Sequence, residues 1–123
     1  MQIYTSYFAV EKKIPADITR VSIAKWMPKG LRFIEYQKLA PTEKILKAYK
    51  EGILTQEKYE KVYKKEVLSK VTVNEVMNFL KLVGNGNDIV LLCFEKSSDF
   101  CHRHILAEWF IEQGIQVDEY PIS

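Results

Sequence analysis

The chain has 123 residues, 47% of them hydrophobic and 28% charged, which fits one globular domain over residues 1–123 and leaves no room for a second core. Eighteen Lys and Arg against 16 Asp and Glu give a net charge of +2, too small a bias to point to nucleic acid or an anionic membrane as partner. The longest apolar run, residues 89–94, is far shorter than the roughly 20 residues of a spanning helix, and the first ten residues lack the pattern of a secretory signal. The expectation is a cytoplasmic protein with no membrane partner, whose two cysteines, Cys93 and Cys101, are reduced rather than part of a disulfide scaffold.

Residues 2–8 are rich in aromatic and β-branched side chains, and residues 19–24 alternate with Val21 and Ile23 on one face; both predict strands. Pro28 and Gly30 make residues 25–32 a loop. A helix is expected from Thr42, as its N-cap, to Gly52, and a second after Thr55 with Tyr59, Val62, Tyr63, Val67 and Leu68 on its apolar side. Thr72 and Glu75 match a capping box, opening a third helix to Gly84 that buries Val73, Val76, Met77, Leu80 and Val83. The run Ile89 to Phe94 does not alternate, as in a strand covered on both faces, and is read as the central strand. Residues 100–113 predict a helix with Ile105, Leu106, Trp109 and Phe110 inward, and residues 115–120 a closing strand. Strand, helix and strand in that order make a βαβ unit. The predicted fold is α/β, a mostly parallel sheet with flanking helices in a Rossmann-like three-layer arrangement.

The stretch from Leu91 to His104 holds nearly every reactive side-chain type. It covers the carboxyl end of the central strand, a loop and a helix N-terminus, where open α/β sheets place their ligand crevices and where unpaired N–H groups attract anions. Ser97, Ser98 and Arg103 would add donors; the competing reading is that Ser98 or Asp99 only caps the helix and Arg103 makes a surface ion pair. Cys101, in the first helical turn beside His102 and Arg103, is a candidate thiolate, although packing under the helix is the commoner fate of a cysteine. Cys93, inside the buried run, reads as structural, although as the penultimate strand residue it could face the pocket.

Cys93, Cys101, His102 and His104 carry zinc-type donors, but residues 102 and 104 point about 200° apart on a helix, so no metal is expected. Between Thr42 and Lys70, eight lysines and five glutamates surround Tyr49, Tyr59 and Tyr63; a nucleic-acid surface is conceivable, but a solvated face of Glu–Lys pairs over an apolar side is preferred. There is no P-loop, GxGxxG, HExxH or GxSxG, and no cofactor is expected.

Leu-Leu-Cys-Phe-Glu-Lys followed by Cys-His-Arg resembles the signature of the family catalogued as domain of unknown function 488, in which a buried strand ends in Leu-x-Cys-x-Glu and a short loop leads to Cys-His-Arg at a helix start. The pattern falls on Cys93, Glu95, Lys96, Cys101, His102 and Arg103. Leu106 to Trp109 and the opening Ile3-Tyr4-Thr5-Ser6 continue the likeness. Many members carry Asp-Val-Arg at the end of the second strand, where Ser22-Ile23-Ala24-Lys25 stands here, so the chain resembles a shorter branch. The resemblance implies the fold and the site and supplies no reaction.

With the first two strands parallel to the central one, Thr5, Ser6, Tyr7 and Lys25 would reach the same edge as Glu95 and Cys101. The leading expectation is therefore a pocket for an anionic small molecule or nucleotide-like group. Thr5, Ser6, Lys25, Lys96, Ser97, Ser98 and Arg103 would bind it, with Arg103 as clamp, and Glu95, Cys101 and His102 would be its acid, base and nucleophile candidates. The alternatives are a non-catalytic interaction module in which Cys-His-Arg is structural, and a thiol-dependent enzyme using Cys101 or a Cys93–Cys101 redox pair.

Overall fold

The computed structural model describes residues 1–95 and 99–121. Strands β1 (Ile3–Tyr7), β2 (Thr19–Ser22), β3 (Ile34–Glu35), β4 (Ile89–Cys93) and β5 (Val117–Glu119) form one sheet in the order β3-β2-β4-β1-β5. Every pairing is parallel. The strand read as central is central: β4 lies between β1 and β2, with Ile89 opposite both Ile3 and Thr19. All five of its residues are buried, which is why its sequence is continuously apolar.

Four helices follow the predicted punctuation: α1 (Glu43–Lys50), α2 (Gln56–Glu66), α3 (Val73–Gly84) and α4 (His102–Glu112). The Thr42 and Thr55 hydroxyls accept from the N–H groups of Ile45 and Lys58, each at 3.2 Å, satisfying donors that a helix start leaves open. Thr72 and Glu75 complete the capping box in both directions. Helix α3 closes on Asn85 at φ 47°, a left-handed position that asparagine tolerates better than most residues.

The strand pleat sorts side chains between two faces. On one, Ile3, Val21, Ile23, Ile89, Leu91, Cys93 and Val117 form a core with Tyr59, Tyr63, Val76, Leu80, Ile105, Leu106 and Phe110 of the helices. On the other, Val90 and Leu92 pack with Phe8, Ile14, Ile18 and Ala24, from a 3₁₀ turn at Phe8–Lys13 and its neighbouring loops. One outer layer is thus helical and the other thin. Arg20 ties the thin layer down, donating to Glu11 and to the carbonyls of Ile14, Pro15 and Ile18.

Three features depart from the expected pattern. Strand β3 and the 3₁₀ turns are too short to show a period. Helix α4 begins at His102 rather than at residue 100, because Cys101 is its N-cap. The connections place the site: β2 leads outward to β3, whereas β4 leads through α4 the other way to β5. Neighbouring strands whose chains diverge leave a crevice at their carboxyl ends.

The helical layer is pinned by Tyr63, fully buried, whose hydroxyl donates to the carbonyl of Leu39 at 2.6 Å. Tyr63→Phe is expected to lower unfolding stability by about 1–2 kcal/mol, the cost of an orphaned buried acceptor. A shifted urea midpoint with an unchanged slope would show it.

Candidate functional site

The site starts from the apolar run of β4, which carries Cys93 to the sheet's carboxyl edge on the helical face. The N-cap of α4 then sets Cys101 against it. The two sulfurs lie 2.7 Å apart, both free thiols and both buried. The Cys101 sulfur also accepts from the backbone N–H of Arg103 at 3.5 Å, taking the capping role that sequence reasoning gave to Ser98 or Asp99.

Arg103 turns inward and is 0% exposed. Nε and Nη2 donate to the two oxygens of Glu119 at 3.1 and 2.9 Å. Nη1 donates to the Cys93 sulfur at 2.9 Å and to the carbonyl of Glu95. Four of the five guanidinium donors are thereby engaged, and the carbon between them sits 5.7 Å from the centre of the Tyr7 ring. The Thr5 hydroxyl donates to Glu119 at 2.7 Å, so a continuous polar chain runs from β1 through β5 and α4 to β4. Burial works against the Arg103 cation, but the Glu119 hydrogen bonds and the negative charge on Cys93 outweigh it and hold the cation firmly.

The same geometry separates the two thiols. Burial pushes the Cys93 thiol up, but the hydrogen bond from Cys101 and the guanidinium charge prevail, and it ionises below the ordinary thiol range. For Cys101, burial and the partnership with Cys93 both push the thiol far up. Both shifts favour negative charge on Cys93 over Cys101. His102 borders the pair. Its Nε2 lies 2.7 Å from the carbonyl oxygen of Ile23, which can only accept, so in the neutral ring Nε2 carries the hydrogen and Nδ1 is the acceptor. Nδ1 lies 3.7 Å from the Cys101 sulfur.

Over the thiols opens a cleft of about 400 Å³. Lys25 follows β2, and Glu95 and Phe94 follow β4; Tyr49 and Lys50 come from α1, Tyr59 from α2, and Trp26 and Phe100 close the aromatic wall. Burial, with lesser help from the nearby thiol and carboxylate charges, holds the Tyr59 phenol neutral.

The predicted site residues fall into four groups. Lys25, Glu95, Cys101 and His102 line the cleft. Thr5 and Arg103 stand behind it, committed to Glu119. Ser6 is fully buried and, by strand alternation, belongs to the thin face; Lys96, Ser97 and Ser98 lie outside the described residues. Arg103 points at protein anions rather than into the opening. Cys93, read as structural, is the thiol with the lowered pKa, and Glu119 was not anticipated. Its signal was present: if Val117 of a short strand faces inward, so does Glu119 two residues later, and a half-buried carboxylate is steadied by a cation.

Cys93, Glu95 and Cys101 place their donor atoms within 4.8 Å of one another, but a guanidinium touching one of those sulfurs opposes a cation there. On α2, Tyr59 and Tyr63 are buried on the apolar side of the helix. Lys61 and Lys64 pair with Glu57 and Glu60 at 3.6 Å along the helix. No helix among the described residues is long and apolar enough to cross a membrane.

Removing the Arg103 charge strands Glu119, which is partly solvated, and takes the cation away from the Cys93 sulfur. Arg103→Met is expected to cost about 3 kcal/mol, the low end for a broken buried ion pair, whereas Lys61→Met on the exposed helix face is expected to cost under about 0.5 kcal/mol. Thermal or urea unfolding of the two variants checks the contrast.

No curated protein and no solved structure matches the chain. A family model described as "Active DUF488-N3 subclade" matches residues 3–114, a span that takes in β1 to α4, the thiol pair and Arg103. The chain belongs to the family of domain of unknown function 488, as its Cys93-x-Glu95 and Cys101-His102-Arg103 pattern suggested.

Proposed function

We propose that this single-domain α/β protein is a thiol-dependent enzyme acting on a small molecule with an apolar, ring-sized body and an anionic group. The observation that carries the reading is the Arg103 guanidinium at 2.9 Å from the Cys93 sulfur at the base of the cleft. A cation buried behind a thiol stabilises its thiolate, the nucleophilic form. The anion clamp moves accordingly: Lys25 and Lys50 line the cleft, while Arg103 serves the sulfur. Trp26, Tyr49 and Phe100 suit a flat apolar body. Glu95 at the opening and His102 Nδ1 beside Cys101 are the groups within reach for proton transfer. The description of the matched subclade as active agrees with a working site, and a reducing cytoplasm would keep both thiols available.

A second reading is the non-catalytic interaction module, favoured by the exposure of Trp26 and Phe94 at the cleft's rim, 53% and 50%. It requires neither a nucleophilic thiol nor cations beside it.

Two measurements on folded protein separate these readings. The alkylation rate of Cys93 against pH should reach half its plateau below the free-cysteine value of about 8.5. Because Arg103 favours the anion, Arg103→Met should move that midpoint upward and slow labelling at neutral pH. The second compares iodoacetate with iodoacetamide: Lys25 and Lys50 should raise the rate ratio in favour of the anionic reagent above that of free cysteine, and the double change Lys25→Gln with Lys50→Gln should erase the excess. A ratio equal to that of free cysteine in the unaltered protein would contradict the anion-binding cleft, and labelling only on unfolding would favour the interaction module.

A further inference from the structure

Nothing in a nucleophilic thiol requires a second thiol against it. Here the second sulfur is 2.7 Å from the first, held by an N-cap that fixes the start of α4, and faces a ring nitrogen whose acceptor state is set by the Ile23 carbonyl. A resolving thiol needs proximity to the attacking sulfur, a higher proton affinity than its partner and a group to take its proton; Cys101 meets all three.

We infer that Cys93 and Cys101 act as a dithiol–disulfide couple that reduces small disulfides entering the cleft, with Cys93 attacking, Cys101 resolving and His102 Nδ1 receiving the Cys101 proton. The inference rests on the proposed nucleophilic role of Cys93 and adds to it the reaction class and the part played by Cys101.

The Cys93 thiolate attacks one sulfur of R–S–S–R. The ligand's S–S bond breaks, a Cys93–S–S–R bond forms and R–S⁻ leaves. Cys101 then passes its proton to His102 Nδ1 and attacks the Cys93 sulfur; the Cys93–Cys101 bond forms and the second R–S⁻ departs, taking the proton from His102, while the first is protonated by solvent. Two electrons move from the cysteine pair to the ligand, which leaves as two R–SH. An external thiol reductant restores the dithiol by the reverse exchange.

The position of Arg103 fits this division of labour. Its Nη1 lies on the Cys93 side of the pair, so the guanidinium stabilises Cys93 both as attacking thiolate and as leaving group when a reductant reopens the disulfide. Its remaining bonds to Glu119 and the Glu95 carbonyl hold it in place through the cycle.

The test uses the full chain and hydroxyethyl disulfide, a small neutral probe, followed by intact mass and peptide mapping. The expected result is a protein lighter by two hydrogens, with Cys93 linked to Cys101 and two thiols released per chain. Cys101→Ser, and Cys101→Ala should the serine disturb the cap, should instead accumulate the probe on Cys93. A persistent adduct on Cys93 in the unaltered protein would overturn the couple and leave the nucleophile standing. An adduct on Cys101 in Cys93→Ser, formed as fast as the one on Cys93, would overturn the assignment of roles. Failure of either thiol to react before unfolding would overturn both the couple and the nucleophile.

Discussion

The buried guanidinium of Arg103 organises the carboxyl edge of this sheet. A cation with no solvent must be surrounded by acceptors, or it costs more than the fold can supply. Here the acceptors come from three places in the chain: both oxygens of Glu119 on β5, the carbonyl of Glu95 after β4, and the sulfur of Cys93 at the end of β4. Meeting that single demand joins the last strand to α4, shapes the chain leaving the central strand, and favours the anionic form of a thiol. Stability and chemistry share one interaction, so damage to it is felt in both.

The sheet topology explains why this occurs at one edge and on one face. Because β2 and β4 send their chains in opposite directions, the space beyond their ends is not filled by a connection. The helical layer supplies aromatic walls from α1 and α2, and the N-cap of α4 closes the base. On the thin face, the Phe8 ring contacts those of Phe33 and Phe94, and Phe8 and Phe33 belong to a modest second core.

Much of this was legible in the residues. The unbroken run from Ile89 announced a strand covered on both sides, threonines before apolar periods marked three helix starts, and Cys93-x-Glu95 with Cys101-His102-Arg103 marked the site and its family. What escaped was long-range pairing. Arg103 near a helix N-terminus reads as an outward clamp for a ligand anion, because sequence shows its neighbours along the helix and not Glu119, sixteen residues away, brought alongside by the parallel pairing of β1 and β5. Cys93 reads as core for the same reason: its burial follows from the run it ends, whereas its lowered pKa follows from Cys101 and Arg103. The two-residue strand β3 and the placement of Ser6 on the opposite face depend on pleat and register, which short segments do not announce.

The central claim is that Arg103, beside the hydrogen bond from Cys101, favours the thiolate of Cys93. Following thiolate ultraviolet absorbance against pH tests it without any reagent having to enter the cleft. The prediction is one ionisation below the free-cysteine value of about 8.5, absent from Cys93→Ala and moved upward in Arg103→Met. A folded protein with no thiolate signal until pH exceeds that value would contradict it.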